Sequence, residues 1–186
     1  AALSVIRVSG EDCERILKKL TLKNTPKERI LTLRNFYFPK SNKKLIDNCL
    51  VVWMPAPRSY TGEDCIEIYS HGGDAVFQGF FSALTSFPNV RYAEQGEFSK
   101  RAIINGKTDL VKAEAVNDLI NSVTEKQREL AIRQFNKGLS IPIMKWRKEM
   151  IKCMSLIEAN IDFSDENDTP ESVNITQELL ILRKQF

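Results

Sequence analysis

The hydrophobic period changes partway along this chain, and that change restricts the fold more than any single residue does. Up to Ala93 the apolar residues fall into short, β-branched or alternating runs: Ala2–Val8, Glu28–Phe38, Leu45–Met54, Glu63–Ser70 and Val90–Ala93. Runs of this length and pattern predict strands. Three helical patterns lie between or after them. One starts at Ser9 or Gly10 and ends at Leu20. The next covers Asp74–Ser86, with a stripe of Phe77, Phe80, Phe81 and Leu84, and the third covers Glu97–Ile104, stopped by Asn105-Gly106. From Thr108 onward the period is helical throughout. Leu110–Asn121 is one helix, with Leu110, Val111, Ala115, Leu119 and Ile120 expected inside. A second stretch runs from Thr124 to about Ile161, with a break expected at residues 138–142, where Gly138 and Pro142 fall. Ser164–Glu171 is an acidic loop, and Asn174–Phe186 begins another helix. The class is therefore α+β: an N-terminal mixed β-sheet with helices, followed by an all-α segment of long helices. The expected boundary lies near residue 118, giving regions 1–117 and 118–186.

Charge and cysteine usage narrow the function classes. The net charge is only +3, but Glu14–Lys44 carries ten Lys and Arg against two acids. Such a stretch fits either a solvated face or an RNA-facing one. Cys13, Cys49, Cys65 and Cys153 form no CxxC pair, and there is a single His, so no zinc-site pattern is present. They read as reduced thiols of an intracellular protein. No apolar run reaches the length of a membrane span, and no signal peptide is visible. The chain opens on a strand-like run and ends inside a helical pattern, which suggests a longer natural protein.

Four residues stand out chemically. Arg7 interrupts a β run that should be buried, so it needs either a core acid or an anionic ligand. Glu67 alternates with Ile66 and Ile68 and shares a strand face with Glu63, Cys65 and Tyr69. Its two oxygens match the adjacent N–H and NH2 donors of an aminopyrimidine such as a pterin, although a solvated sheet face would look the same. Glu63 and Glu67 would stand about 13 Å apart on one strand, too far for a glycosidase-type acid pair. His71 precedes Gly72-Gly73 at a helix start and reads either as a turn residue or as part of an anion site. Lys107 follows Asn105-Gly106, where it could complement the helix dipole or meet a ligand carboxylate. A lone His with no partnering nucleophile argues against a catalytic triad. Cys65 is a poor candidate, because nothing local would lower its pKa. No catalytic residue and no metal ligand is assigned.

Taken together these blocks resemble the MnmE/TrmE family of tRNA-modification GTPases. The resemblance rests on IRVSG at Ile6–Gly10, PAPRSYTGEDCIEIYSHGG at Pro55–Gly73, GEFSKRA at Gly96–Ala102, NGKTDLVKAEAVNDLI at Asn105–Ile120 and IEANIDFSDEN at Ile157–Asn167. It covers nearly the whole chain, and ordered motifs at matching spacing make it specific. It implies an N-terminal domain like the tetrahydrofolate-binding domain of one-carbon transfer proteins, which forms the homodimer contact and binds 5-formyl- or 5,10-methylene-tetrahydrofolate. On the matching positions the folate contacts would be Arg7, Glu67 and Lys107. It further implies a helical domain interrupted by a GTPase domain, expected after residue 186, which would hold GTP, Mg and K. An FAD-dependent, MnmG/GidA-like partner protein and tRNA complete the picture, with modification at C5 of the wobble uridine. The sequence contains no GxxxxGK[ST] phosphate loop, so this piece is not expected to hydrolyse GTP.

The chain departs from the family pattern at Gln95, where Pro is common, at Ser70, where Gly is common, and at Pro142, within a helix usually continuous. The GEDC block and the AIRQF segment look closer to mitochondrial members, so the mitochondrial matrix is the expected location, or the cytoplasm for a bacterial protein. Two other readings compete. A stand-alone folate-dependent aminomethyltransferase would not need the long helical tail. A purely RNA-binding module would use the basic stretches, but no aromatic-rich RNA motif accompanies them.

Overall fold

The structure is a computed structural model and describes residues 1–39, 44–137 and 140–162, together with residues 180 and 183. It divides into two compact units, Ala1–Thr108 and Asp109–Phe186. The sequence pattern puts the boundary near 118. The units instead part at the start of α4 (Leu110–Ile120), where the Asp109 side chain caps the helix by accepting from the Lys112 amide at 2.9 Å. That whole helix packs on α5 (Glu125–Lys137) and so belongs to the helical unit.

In the first unit four strands, β1 (Leu3–Ser9), β2 (Thr32–Tyr37), β3 (Leu45–Met54) and β4 (Cys65–His71), form one sheet in the order β1-β4-β3-β2. Every strand pair among the described residues is antiparallel, so the expected mixed sheet is corrected to an antiparallel one. Residues 90–93, expected as a fifth strand, do not join the sheet. These form no strand: the Val90 amide donates to the Phe87 carbonyl in a turn, and Tyr92 stacks on Phe81 with ring centroids 4.9 Å apart. Alternation along a run cannot distinguish a paired strand from a segment held by its side chains.

Two helices, α1 (Cys13–Thr21) and α2 (Asp74–Thr85), pack against one face of the sheet. That face contributes Ile6, Phe36, Val51, Trp53, Ile66 and Ile68 to the core, and the helices contribute Ile16, Leu17, Leu20 and Phe80. Phe36 and Phe80 are fully buried and meet edge to face with centroids 5.3 Å apart. Each such buried side chain contributes about 1.5–3 kcal/mol relative to exposure. α3 (Glu97–Ile104) follows, with Gly96 before it in the left-handed region at φ +76°.

The helical unit has fewer buried residues. Among the described ones they are Ala115, Ala131 and Cys153, while Leu110, Leu119 and Ile120 are exposed despite their helical spacing. α5 opens with a capping box: the Gln127 amide donates to Thr124 Oγ1, and Gln127 Oε1 accepts from the Thr124 amide. α6 (Ser140–Asp162) is the next described helix, and Gly138 of the expected break lies outside the described residues. Pro142 sits in its first turn, where backbone N–H groups have no intrahelical partner to lose. The predicted acidic loop at residues 164–171 lies outside the described residues, as does nearly all of the predicted helix at 174–186. No helix among the described residues is long and apolar enough to cross a membrane.

Candidate functional site

The sheet face opposite the core carries the polar chemistry. Register places Arg7 of β1 directly across from Glu67 of β4. Successive residues of a strand point to opposite faces. Ile66 and Ile68 therefore enter the core, while Glu67 and Tyr69 face away from it, partly buried. The Arg7 guanidinium grips one carboxylate oxygen of Glu67: Nε donates to Oε1 at 2.8 Å and Nη2 donates to the same atom at 2.6 Å. The Tyr69 hydroxyl donates to Oε2 at 2.8 Å. That bond and burial push the Tyr69 phenol above its ordinary value. Two rings flank Arg7, with its guanidinium carbon 4.8 Å from the Tyr60 centroid and 5.4 Å from that of Phe98. The need for an acid read from Arg7 is thus met by Glu67 itself.

Lys107 is brought to the loop that supplies Tyr60, not to Glu67. Its ammonium donates to the Pro57 carbonyl at 2.8 Å. Gly62 makes this approach possible. It sits at φ +81°, and a Cβ there would come within 3.0 Å of Asn105 Cβ and 3.1 Å of Lys107 Cγ. The Asn105 side-chain amide closes the junction by donating to the Thr61 carbonyl at 2.8 Å. The three sequence-predicted residues therefore divide: Arg7 and Glu67 form one ion pair, and Lys107 stands on the loop beside it.

A polar network ties that loop to β1 and α3. Ser9 Oγ lies 2.6 Å from Thr61 Oγ1 and donates to Glu63 at 2.9 Å, and Arg101 Nη1 donates to the same carboxylate at 3.0 Å. Arg101 also reaches Glu97, which accepts from Arg91 and from the Glu94 amide. The Arg91 guanidinium, the Glu94 amide and Arg101 hold the Glu97 carboxyl down at about 2. Beside this network lies a groove of about 930 Å³, lined by β1, the residues after it, α2, residues 89–93 and α3. Arg7 reaches its wall, and neither Glu67 nor Lys107 does.

The other candidates take structural places. His71 Nδ1 lies 2.8 Å from Asp47 Oδ1, and the His71 amide donates to Asp47 Oδ2 at 3.0 Å, so this His joins β3 to β4. Burial opposes ionisation of Asp47, but the hydrogen bonds from His71 and Asn48 outweigh it and lower its pKa. All four cysteines are free and buried. Burial pushes Cys65 up to about 11 and Cys49 up to about 12, and raises Cys13 as well. Burial therefore disfavours the thiolate, the nucleophilic form, at all three. The departure at Ser70 has its own partner: Ser70 Oγ lies 2.9 Å from Ser4 Oγ across the β1–β4 pair. No group of three or more His, Cys, Asp and Glu suited to a metal occurs among the described residues.

Tyr60, Tyr69 and Phe98 were not singled out by sequence reasoning. For Tyr69 the signal was available, since it stands two residues after Glu67 on the same strand face. For Tyr60 and Phe98 it was not, because their contact with Arg7 is made by loop and helix packing across more than fifty residues.

The comparisons with known proteins agree along the chain. A family model described as the N-terminus of the GTP-binding protein TrmE matches residues 1–107, and one described as the MnmE helical domain matches residues 110–186. Proteins called tRNA modification GTPase MnmE are similar over most of the chain. That of Beijerinckia indica is 44% identical over 170 residues, covering 91% of this chain and 37% of its own length. That of Rickettsia bellii is 46% identical over 173 residues, covering 93% and 38%. That of Rhodopseudomonas palustris is 45% identical over 168 residues, covering 90% and 36%. The chain thus spans a little over a third of the length of the curated relatives it matches. With matching N-terminal and helical parts in the right order, this chain belongs to the MnmE/TrmE family.

Proposed function

We propose that the outer sheet face of the first unit binds a reduced folate, 5-formyl- or 5,10-methylene-tetrahydrofolate, through Glu67, Arg7 and Lys107. The observation that carries this reading is the state of the Glu67 carboxylate. A guanidinium edge presents adjacent N–H and NH2 donors, as the aminopyrimidine edge of a pterin does, and Glu67 already accepts both such donors of Arg7, on its Oε1. The residues therefore fit the group. Glu67 would hold the aminopyrimidine, Arg7 would stay beside it between the Tyr60 and Phe98 rings, and Lys107 would offer a point charge to a ligand carboxylate. The folate would supply a one-carbon unit.

In the full-length protein this unit would serve a tRNA modification GTPase, the activity in the names of its relatives, with C5 of the wobble uridine as the modified position. GTP, Mg and K would be held outside these 186 residues. A homodimer through the first unit and an FAD-dependent, MnmG-like partner complete the proposal. The mitochondrial matrix is its location, on the sequence of the Gly62–Cys65 and Ala131–Phe135 blocks. Titration calorimetry with 5-formyltetrahydrofolate tests the folate part: saturable binding is expected, and its absence, with the oligomeric state measured in parallel, would refute it.

A further inference from the structure

The hydrogen bonds around Glu67 are unequally distributed, and the inequality separates its two neighbours. A carboxylate offers about four acceptor positions, two on each oxygen. On Oε1 both are taken, by Arg7 Nε at 2.8 Å and Arg7 Nη2 at 2.6 Å. On Oε2 one is taken, by the Tyr69 hydroxyl at 2.8 Å, and one remains. A ligand that brings two adjacent donors needs one position on each oxygen. It finds one on Oε2 without disturbing Tyr69. On Oε1 it must displace a donor of Arg7.

Arg7 can give up that donor without losing its place. Its guanidinium lies against the Tyr60 and Phe98 rings, and these contacts do not use the N–H bond that the ligand would replace. Tyr69 has no comparable exchange to make. It stands on the same strand and the same face as Glu67, two residues on. The terminal torsion of a Glu side chain is broad, so an unheld carboxylate turns about it freely. The phenol hydroxyl fixes that turn from the Oε2 side.

We propose that Tyr69 is a positioning residue for the folate site, which holds the Glu67 carboxylate plane so that the open position on Oε2 and the one that Arg7 yields on Oε1 meet the paired donors of a 2-amino-4-oxo-pteridine. The inference rests on the folate reading above and adds a residue and a selectivity to it. The 2-amino group is the ligand feature that Tyr69 serves, because it is one of the two donors that need both oxygens aligned.

The test is calorimetry with two probes, 5-formyltetrahydrofolate and its analogue with hydrogen in place of the 2-amino group, on the wild-type chain and on Tyr69→Phe. The change removes one hydroxyl and keeps the ring. Tyr69→Phe is expected to weaken 5-formyltetrahydrofolate by about tenfold, the scale of one hydrogen bond to a charged group. It should leave the deamino analogue within about twofold. Equal weakening of both probes, as misfolding or a merely structural role would produce, overturns the proposal, and so does no weakening of either. Failure of the wild-type chain to bind 5-formyltetrahydrofolate at all is a different result: it refutes the folate reading itself, and the role of Tyr69 falls with it.

Discussion

The two faces of the four-stranded sheet are built from alternate residues of the same strands, yet they are held together differently. On one face Ile66 and Ile68 sit with Phe36, Val51 and Phe80 in a closed apolar core. On the other, Glu67, between those isoleucines, accepts directional hydrogen bonds from Arg7 and from Tyr69. The core face depends on volume, and the outer face depends on geometry. The difference teaches where each kind of damage should appear: stability on one face, binding on the other.

The largest expected effect is on the core side. Phe36→Ala removes a fully buried ring from the edge-to-face pair with Phe80 and should lower the free energy of unfolding by about 3–5 kcal/mol, measured in urea. A loss below about 1 kcal/mol would mean that the core does not depend on volume as described.

Gly62→Ala tests the loop that carries Tyr60 and approaches Lys107. The added Cβ would stand 3.0 Å from Asn105 Cβ and 3.1 Å from Lys107 Cγ, closer than van der Waals contact, and the backbone lies at φ +81°. A cost of about 1–3 kcal/mol is expected, together with weaker ligand binding, because the same glycine seats the Lys107 stem. If binding is unchanged while stability falls, Lys107 does not belong to the site.

A smaller effect follows from pH. The Glu97 carboxyl is held at about 2 by Arg91, the Glu94 amide and Arg101, against 4.5 when unperturbed. A carboxyl lowered on folding stabilises the fold above its unfolded value and loses that contribution as pH falls through its folded one. The network that joins α3 to Glu63 and Ser9 should therefore loosen between pH 4.5 and about 2. Urea midpoints followed across that window should fall more for the wild-type chain than for Glu97→Gln. Parallel curves would show that this carboxyl is not linked to folding.

Much of this architecture was readable where the chain punctuates itself. β3 runs Leu45–Met54 as the pattern predicts, because Pro55 ends it, and α3 runs Glu97–Ile104 because Asn105-Gly106 stops it. Arg7 and Glu67 were each legible as unusual residues in strand patterns, but their contact was not. It depends on the register of two strands sixty residues apart, which no local signal encodes. Residues 90–93 show the converse failure, since a strand-like run is held by Tyr92 stacking and an Arg91–Glu97 pair without joining the sheet. The depth of α4 was also misread from its period. Of the residues expected inside, Ala115 is buried and Val111 half-buried, whereas Leu110, Leu119 and Ile120 follow helical spacing and are exposed.

The most direct measurement combines both faces in one variant. Glu67→Ala should abolish binding of 5-formyltetrahydrofolate by calorimetry. Its unfolding free energy should change by no more than about 1–2 kcal/mol, because the Arg7 left behind is partly solvent-screened and keeps its ring contacts. Undiminished binding by Glu67→Ala, or a loss of stability as large as that of Phe36→Ala, would contradict the division of labour between the two faces.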